Sequence, residues 1–191
     1  MSFTLRAVIV GAAAAILFAL PAQATVFMTT LSGANEFPPN SSPGTGSATV
    51  VVDGNLMTVD VAFSGLTATA SAAHIHCCMT PTTPNRPVAV DFHDGFPHAT
   101  SGSYHDTFDL MDVSTYTTGF LAGGTAADAR ARLLAAFFAG TAYVNIHNAN
   151  FPPGEIRGQL REVPEPMAAA LLLLGLAGAA TLRRRVIARA A

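Results

Sequence analysis

The sequence predicts a mainly β fold: an antiparallel, Greek-key-like sandwich or barrel with one inserted α-helix over about residues 125–139. Three observations carry the prediction. Short runs of β-branched and apolar residues alternate with polar ones, turn residues punctuate them, and a single stretch has helical periodicity with capping residues at both ends. Residues 25–33 alternate and form the first strand. Residues 35–44, with Pro38, Pro39, Pro43 and Gly44, form a loop. Residues 46–52 and 56–63 flank Asp53-Gly54-Asn55, where Asp-Gly suits the positive φ of a tight hairpin. In the second run Met57, Val59, Val61 and Phe63 make the core face.

Further strands follow at residues 72–79, 86–92 and 101–110, and residues 111–124 look irregular. Thr125 is a helix N-cap with Asp128 three residues on, a capping-box variant. Ala126, Ala129, Leu133 and Phe137 form the apolar stripe, Leu134 and Phe138 widen it, and Gly140 stops the helix. Residues 141–147 and 154–160 are the last two strands.

Both ends of the chain read as addresses, leaving one domain between them at residues 25–161. At the start, Arg6 precedes an apolar run at residues 7–20. Ala22-Gln23-Ala24 then supplies the small-x-small pattern of a signal peptide (residues 1–24) cleaved after Ala24. At the other end (residues 162–191), Pro164-Glu165-Pro166 precedes an apolar run at 167–182 and then Arg183-Arg184-Arg185. The run is at the short edge of a transmembrane helix, and the arginines would hold its end on the cytoplasmic side. This order resembles the PEP-CTERM sorting signal. The resemblance implies transient anchoring in the inner membrane, processing by an exosortase-type protease, and delivery to the cell surface or outside the cell.

Charge and motif content narrow the functions available. The stretch 25–161 holds five arginines against ten acids, a net charge of −5, and the chain has no lysine. No basic stripe exists, so nucleic acid is excluded as a partner. Lysine Schiff-base chemistry and P-loops are excluded as well. No Gly-x-Ser-x-Gly or His-Glu-x-x-His pattern occurs, and no nucleophile pairs with a base, so the reading is not an enzyme.

The concentrated chemistry lies in Ala73-His74-Ile75-His76-Cys77-Cys78. On a strand, His74 and His76 share one face, an arrangement that copper and zinc sites use. His147, on a separate predicted strand, is the candidate third ligand, with His93, His105 or Cys78 as a fourth. The competing reading is that the three histidines hydrogen-bond loops to the sheet. Cys77 and Cys78 have three fates open: a vicinal disulfide, the first choice in an oxidising compartment; Cys78 as a soft ligand; or a bridge to a second chain. Glu155 and Arg157 share a strand face and read as an ion pair fastening the last strand.

Leu31-Ser32-Gly33-Ala34-Asn35-Glu36-Phe37-Pro38-Pro39 resembles the opening of a CHRD domain. Ser64-Gly65-Leu66, His74-Ile75-His76, Tyr143-Val144-Asn145-Ile146-His147 and Gly154-Glu155-Ile156-Arg157-Gly158-Gln159-Leu160 match its later landmarks in order. Cys77-Cys78 departs from it, standing where many members have glycine. The resemblance implies an extracellular, all-β binding or structural module, with extracellular polysaccharide or surface proteins as partners, and no agreed reaction.

Overall fold

A computed structural model describes residues 24–80, 85–92 and 95–164. The signal segment before Ala24, Glu165 and Pro166 of the sorting motif, the apolar run 167–182 and His93 lie outside the described residues. No described helix is long and apolar enough to cross a membrane.

Nine strands follow in chain order: β1 (Thr25–Ser32), β2 (Thr45–Asp53), β3 (Leu56–Ser64), β4 (Ala70–His76), β5 (Val88–Asp91), β6 (Gly102–Asp109), β7 (Tyr143–Asn148), β8 (Ile156–Gln159) and β9 (Arg161–Glu162). They form one antiparallel sheet in the order β5-β4-β7-β8-β1-β2-β3-β6, and β9 also pairs with β1. Ser32 faces Arg157 and Met28 faces Arg161, four residues on along both chains, so β9 continues β8 in the same register past Leu160.

The architecture is therefore one curled sheet, a half-barrel, and not two facing sheets. Laid flat, the outermost strands would sit roughly 33 Å apart at about 4.7 Å per strand. Yet Phe92, just past β5, has its ring 5.2 Å from that of Tyr104 on β6. Phe96 stacks on Phe63 at 5.3 Å and packs on Tyr104 at 5.4 Å. Burying these aromatics between the two edges bends the sheet round on itself. The concave face is the core, where Phe27, Val50, Met57, Val59, Val61 and Phe63 are all buried, as their alternation requires.

The hairpin between β2 and β3 turns at Gly54-Asn55, with Gly54 at φ +58°. A left-handed backbone there favours glycine. The chain then makes a short helix, α1 (Thr118–Leu121), inside the stretch that looked irregular, followed by α2 (Ala126–Ala139). The capping box of α2 is complete: the Asp128 amide donates to Thr125 Oγ1, and the Thr125 amide donates to Asp128 Oδ2. Thr125→Ala removes the first of these bonds and should lower stability by about 1 kcal/mol in a urea titration. Ala129, Leu133 and Phe137 of α2 are buried against the core, with Phe137 5.1 Å from Phe27. Phe138 departs from the expected stripe: it touches Phe27 at the rim and is 58% exposed.

Candidate functional site: a buried histidine cluster

Cross-strand pairing puts partners on one face of a sheet, and this locates the site. His74 pairs with Asn145 and His76 with Tyr143 across β4 and β7, while Ala72 pairs with His147. Asn145 pairs in turn with Arg157 of β8, and His74 with Asp91 of β5. His74, His76, His147, Tyr143, Asn145 and Arg157 therefore share the face opposite the apolar core. A polar face of this kind normally meets water. Here Tyr143, Asn145 and Arg157 are almost wholly buried and His76 is 8% exposed.

Two loops cover it. The chain after β4 crosses the face, with Arg86 donating its amide to the Tyr143 hydroxyl and Asn85 accepting from Arg157 Nη1. The loop after β1 meets that crossing, its Phe37 carbonyl accepting from Asn85 Nδ2 at 2.8 Å. At its root Cys77 and Cys78 are joined to each other as a disulfide, which removes Cys78 as a thiolate ligand.

The three imidazoles converge: one ligand nitrogen from each of His74, His76 and His147 lies within 4.8 Å of the others. Their backbone partners dictate the tautomers. His76 Nδ1 lies 2.6 Å from the Arg86 carbonyl and His147 Nδ1 lies 3.0 Å from the Pro152 carbonyl. A carbonyl only accepts, so each Nδ1 carries the proton and each Nε2 keeps its lone pair. Both Nε2 atoms are buried without a hydrogen-bond partner among the described residues. His74 turns Nε2 towards Asp91 Oδ1 at 3.8 Å. Outer partners that orient a ligand ring through its other nitrogen are a recurring feature of histidine metal sites.

Burial lowers the His76 pKa to about 4, with the Arg86 carbonyl opposing and His74, His147 and Arg157 reinforcing. Burial also lowers that of His147, with the Pro152 carbonyl opposing. Both rings are neutral at pH 7, the form that binds a metal. The His76 ring stacks on Tyr143 at 4.8 Å with an interplanar angle of 1°, and the Arg157 guanidinium lies 4.0 Å from the same Tyr143 centroid. These contacts hold His76 in place.

Two further groups belong to this face, and no ligand motif in the sequence marks either of them. Asn145 Oδ1 and Glu36 Oε1 are buried acceptors with no hydrogen-bond partner among the described residues. They are neighbours: a Cβ built on Gly154 would stand 2.5 Å from Asn145 Oδ1 and 2.6 Å from Glu36 Oε1, so only glycine fits there. Burial pushes the Glu36 carboxyl up to about 7, against the pull of Arg157 and a hydrogen bond from the Phe37 backbone. Asn145 sits two residues before His147, so strand alternation alone places it beside the cluster. With His76 Nε2 and His147 Nε2, this layer presents four buried acceptors that no described donor satisfies. Such a set suits a cation or ordered water.

Other candidates fall elsewhere. His105 pairs with Asp60 at 2.6 Å on the exposed face of β6 and β3, remote from the cluster. Glu155 and Arg157 do not make the expected ion pair. Glu155 accepts from Ser42, Thr67 and Asn148, tying two loops to the end of β7, while Arg157 reaches Asn85 and Met79. The reason is local: Glu155 precedes β8, outside the alternation that orients Arg157.

Fold and site together define a curled antiparallel β domain with a covered histidine layer on its convex side. The CHRD domain family model matches residues 27–160, most of the chain, and the protein belongs to that family. No curated protein and no solved structure matches it.

Proposed function

We propose that this CHRD-family chain is an exported binding or structural component of the cell envelope or extracellular matrix, and that its domain holds one copper or zinc ion on His74, His76 and His147. The family supports the extracellular binding role. The single observation behind the metal is the pair of buried Nε2 lone pairs, each fixed by a backbone carbonyl on the far side of its ring. Imidazole nitrogens of this kind suit zinc and copper alike. The role is binding rather than catalysis.

Elemental analysis of protein purified from the periplasm is expected to find about one equivalent of zinc or copper, and to lose it in a His74→Ala/His76→Ala variant. Equal metal in both, or none in either, removes the metal reading and leaves the binding module. Sorting is tested separately. With Pro164, Glu165 and Pro166 replaced by alanine, the protein should remain in the inner membrane fraction with its tail unprocessed. Unchanged processing and delivery would sink the proposed exosortase-type partner.

A further inference from the structure

Large apolar side chains left exposed are not scattered over this domain. Among the described residues seven are exposed: Met28, Phe37, Leu56, Met111, Val113, Phe138 and Val163. Five of them lie at one end. Pairing of Thr25 with Val52, and of Met57 with Phe108, brings together the start of β1, the β2–β3 turn and the end of β6. Leu56 opens β3 just past that turn, and the Leu110 amide donates to the Asn55 carbonyl at 2.8 Å, placing Met111 and Val113 beside it. Arg130 donates to the Gly54 carbonyl, anchoring α2 at the same end, where Phe138 packs against Phe27 of β1. The Val163 amide donates to the Val26 carbonyl at 2.8 Å. Met28 lies mid-strand on β1, and Phe37 lies in the loop covering the histidine layer.

This is also where both ends of the domain emerge. Ala24 leads into β1 and Pro164 follows the Val163–Val26 bond, so the two ends leave side by side. Leu20 closes one apolar run four residues before Ala24, and Met167 opens the other three residues after Pro164. An extended chain covers about 3.5 Å per residue. Either run, once in a bilayer, holds this end within roughly 15 Å of it.

We infer that this end of the domain is a membrane-apposed face: Leu56, Met111, Val113 and Phe138 rest in the headgroup region of the bilayer while the chain is tethered. The inference rests on the reading that the terminal apolar runs enter a membrane. The partner is a lipid surface, because an exposed apolar patch of this kind, tethered so closely, meets the bilayer before any diffusing protein. Exposed Asp53, Asp109, Asp112 and Glu162 surround the patch, against Arg130 and Arg161. That balance fits zwitterionic headgroups and opposes anionic ones.

The protein contains no tryptophan, so a single introduced indole reports cleanly. Full-length Phe138→Trp and Val113→Trp, reconstituted in vesicles of brominated phosphatidylcholine, should lose at least half their fluorescence relative to unbrominated vesicles. Phe37→Trp, away from the patch, should lose little. Leu173→Trp, inside the second apolar run, calibrates insertion. Unfolding midpoints matching the parent show that the variants fold. If Leu173→Trp is quenched while Phe138→Trp and Val113→Trp behave like Phe37→Trp, the membrane-apposed face is overturned and the anchor stands. If Leu173→Trp is not quenched either, the anchor reading fails and takes the proposal with it. Quenching that appears only with brominated phosphatidylglycerol overturns the zwitterionic assignment.

Discussion

Adding zinc or copper(II) to metal-stripped protein at pH 7.5 is expected to raise its melting temperature on the order of 10 °C. Binding to the folded state alone stabilises by about 2.7 kcal/mol when free metal stands at a hundred times the dissociation constant. For a domain of this size, unfolding entropy converts that to roughly 9 °C. The geometry predicts strong selectivity for the folded chain, because His74 and His147 meet only when β4 and β7 pair. His147→Ala should abolish the shift while leaving the metal-free melting temperature within a few degrees, since His147 contributes one bond to Pro152. A shift that survives in His147→Ala would mean that metal binds outside the cluster. The same shift should fade as pH falls towards 4, where His76 takes up the proton that competes with the metal for its nitrogen.

The second large effect is a pH dependence that two buried groups hide from each other. His76 has its pKa lowered from 6.5 to about 4, so between those values the unfolded chain binds a proton that the folded chain refuses. Stability from this group is complete above pH 6.5 and is lost as pH falls to 4, about 3 kcal/mol in all. Glu36 does the reverse. Its carboxyl is raised from 4.5 to about 7, so the folded chain holds a proton that the unfolded chain has released. Stability from Glu36 is complete below pH 4.5 and is lost as pH rises through 7, again about 3 kcal/mol. The two windows overlap, and metal-free wild-type protein should be nearly level between pH 4.5 and 6.5, tilted only by His147, whose pKa is also lowered. Glu36→Gln removes one side of the balance. Its stability in urea titrations should drop by about 3 kcal/mol between pH 6.5 and 4. Parallel curves for wild type and Glu36→Gln would contradict the assignment.

What could be read from sequence tracks what is local. The alternation of Met57, Val59, Val61 and Phe63 foretells the concave core, and Thr125 with Asp128 foretells the start of α2. His74, His76 and His147 are recoverable because two strands each present side chains at period two. The number of sheets is not local. Phe92 and Tyr104 decide it, by closing a distance that no periodicity encodes. Nor does alternation say that a polar face will be covered. Tyr143, Asn145 and Arg157 look like a solvated side until the loop at 33–40 and the segment at Asn85 and Arg86 cover it, and no periodicity marks Glu36 or Asn145 as part of the site. Glu155 and Arg157 mislead for the same reason. Strand spacing applies to Arg157 on β8, but Glu155 lies just before the strand and answers to two loops and the end of β7.

The central place of β1 in the sheet has a consequence for the order in which this domain can be assembled. One side of β1 pairs with β2 after a short loop, but its other side waits for residues 157–162. A chain that emerges from a ribosome or translocon with its N-terminus first must hold that edge open until nearly the whole domain has passed. The histidine cluster is delayed too, because β4 needs β7, some seventy residues later. Such long-range closure makes folding slow compared with helical domains of similar length. The protein should therefore acquire its structure, and any ion it carries, only after release of residue 162, on whichever side of the membrane that release occurs.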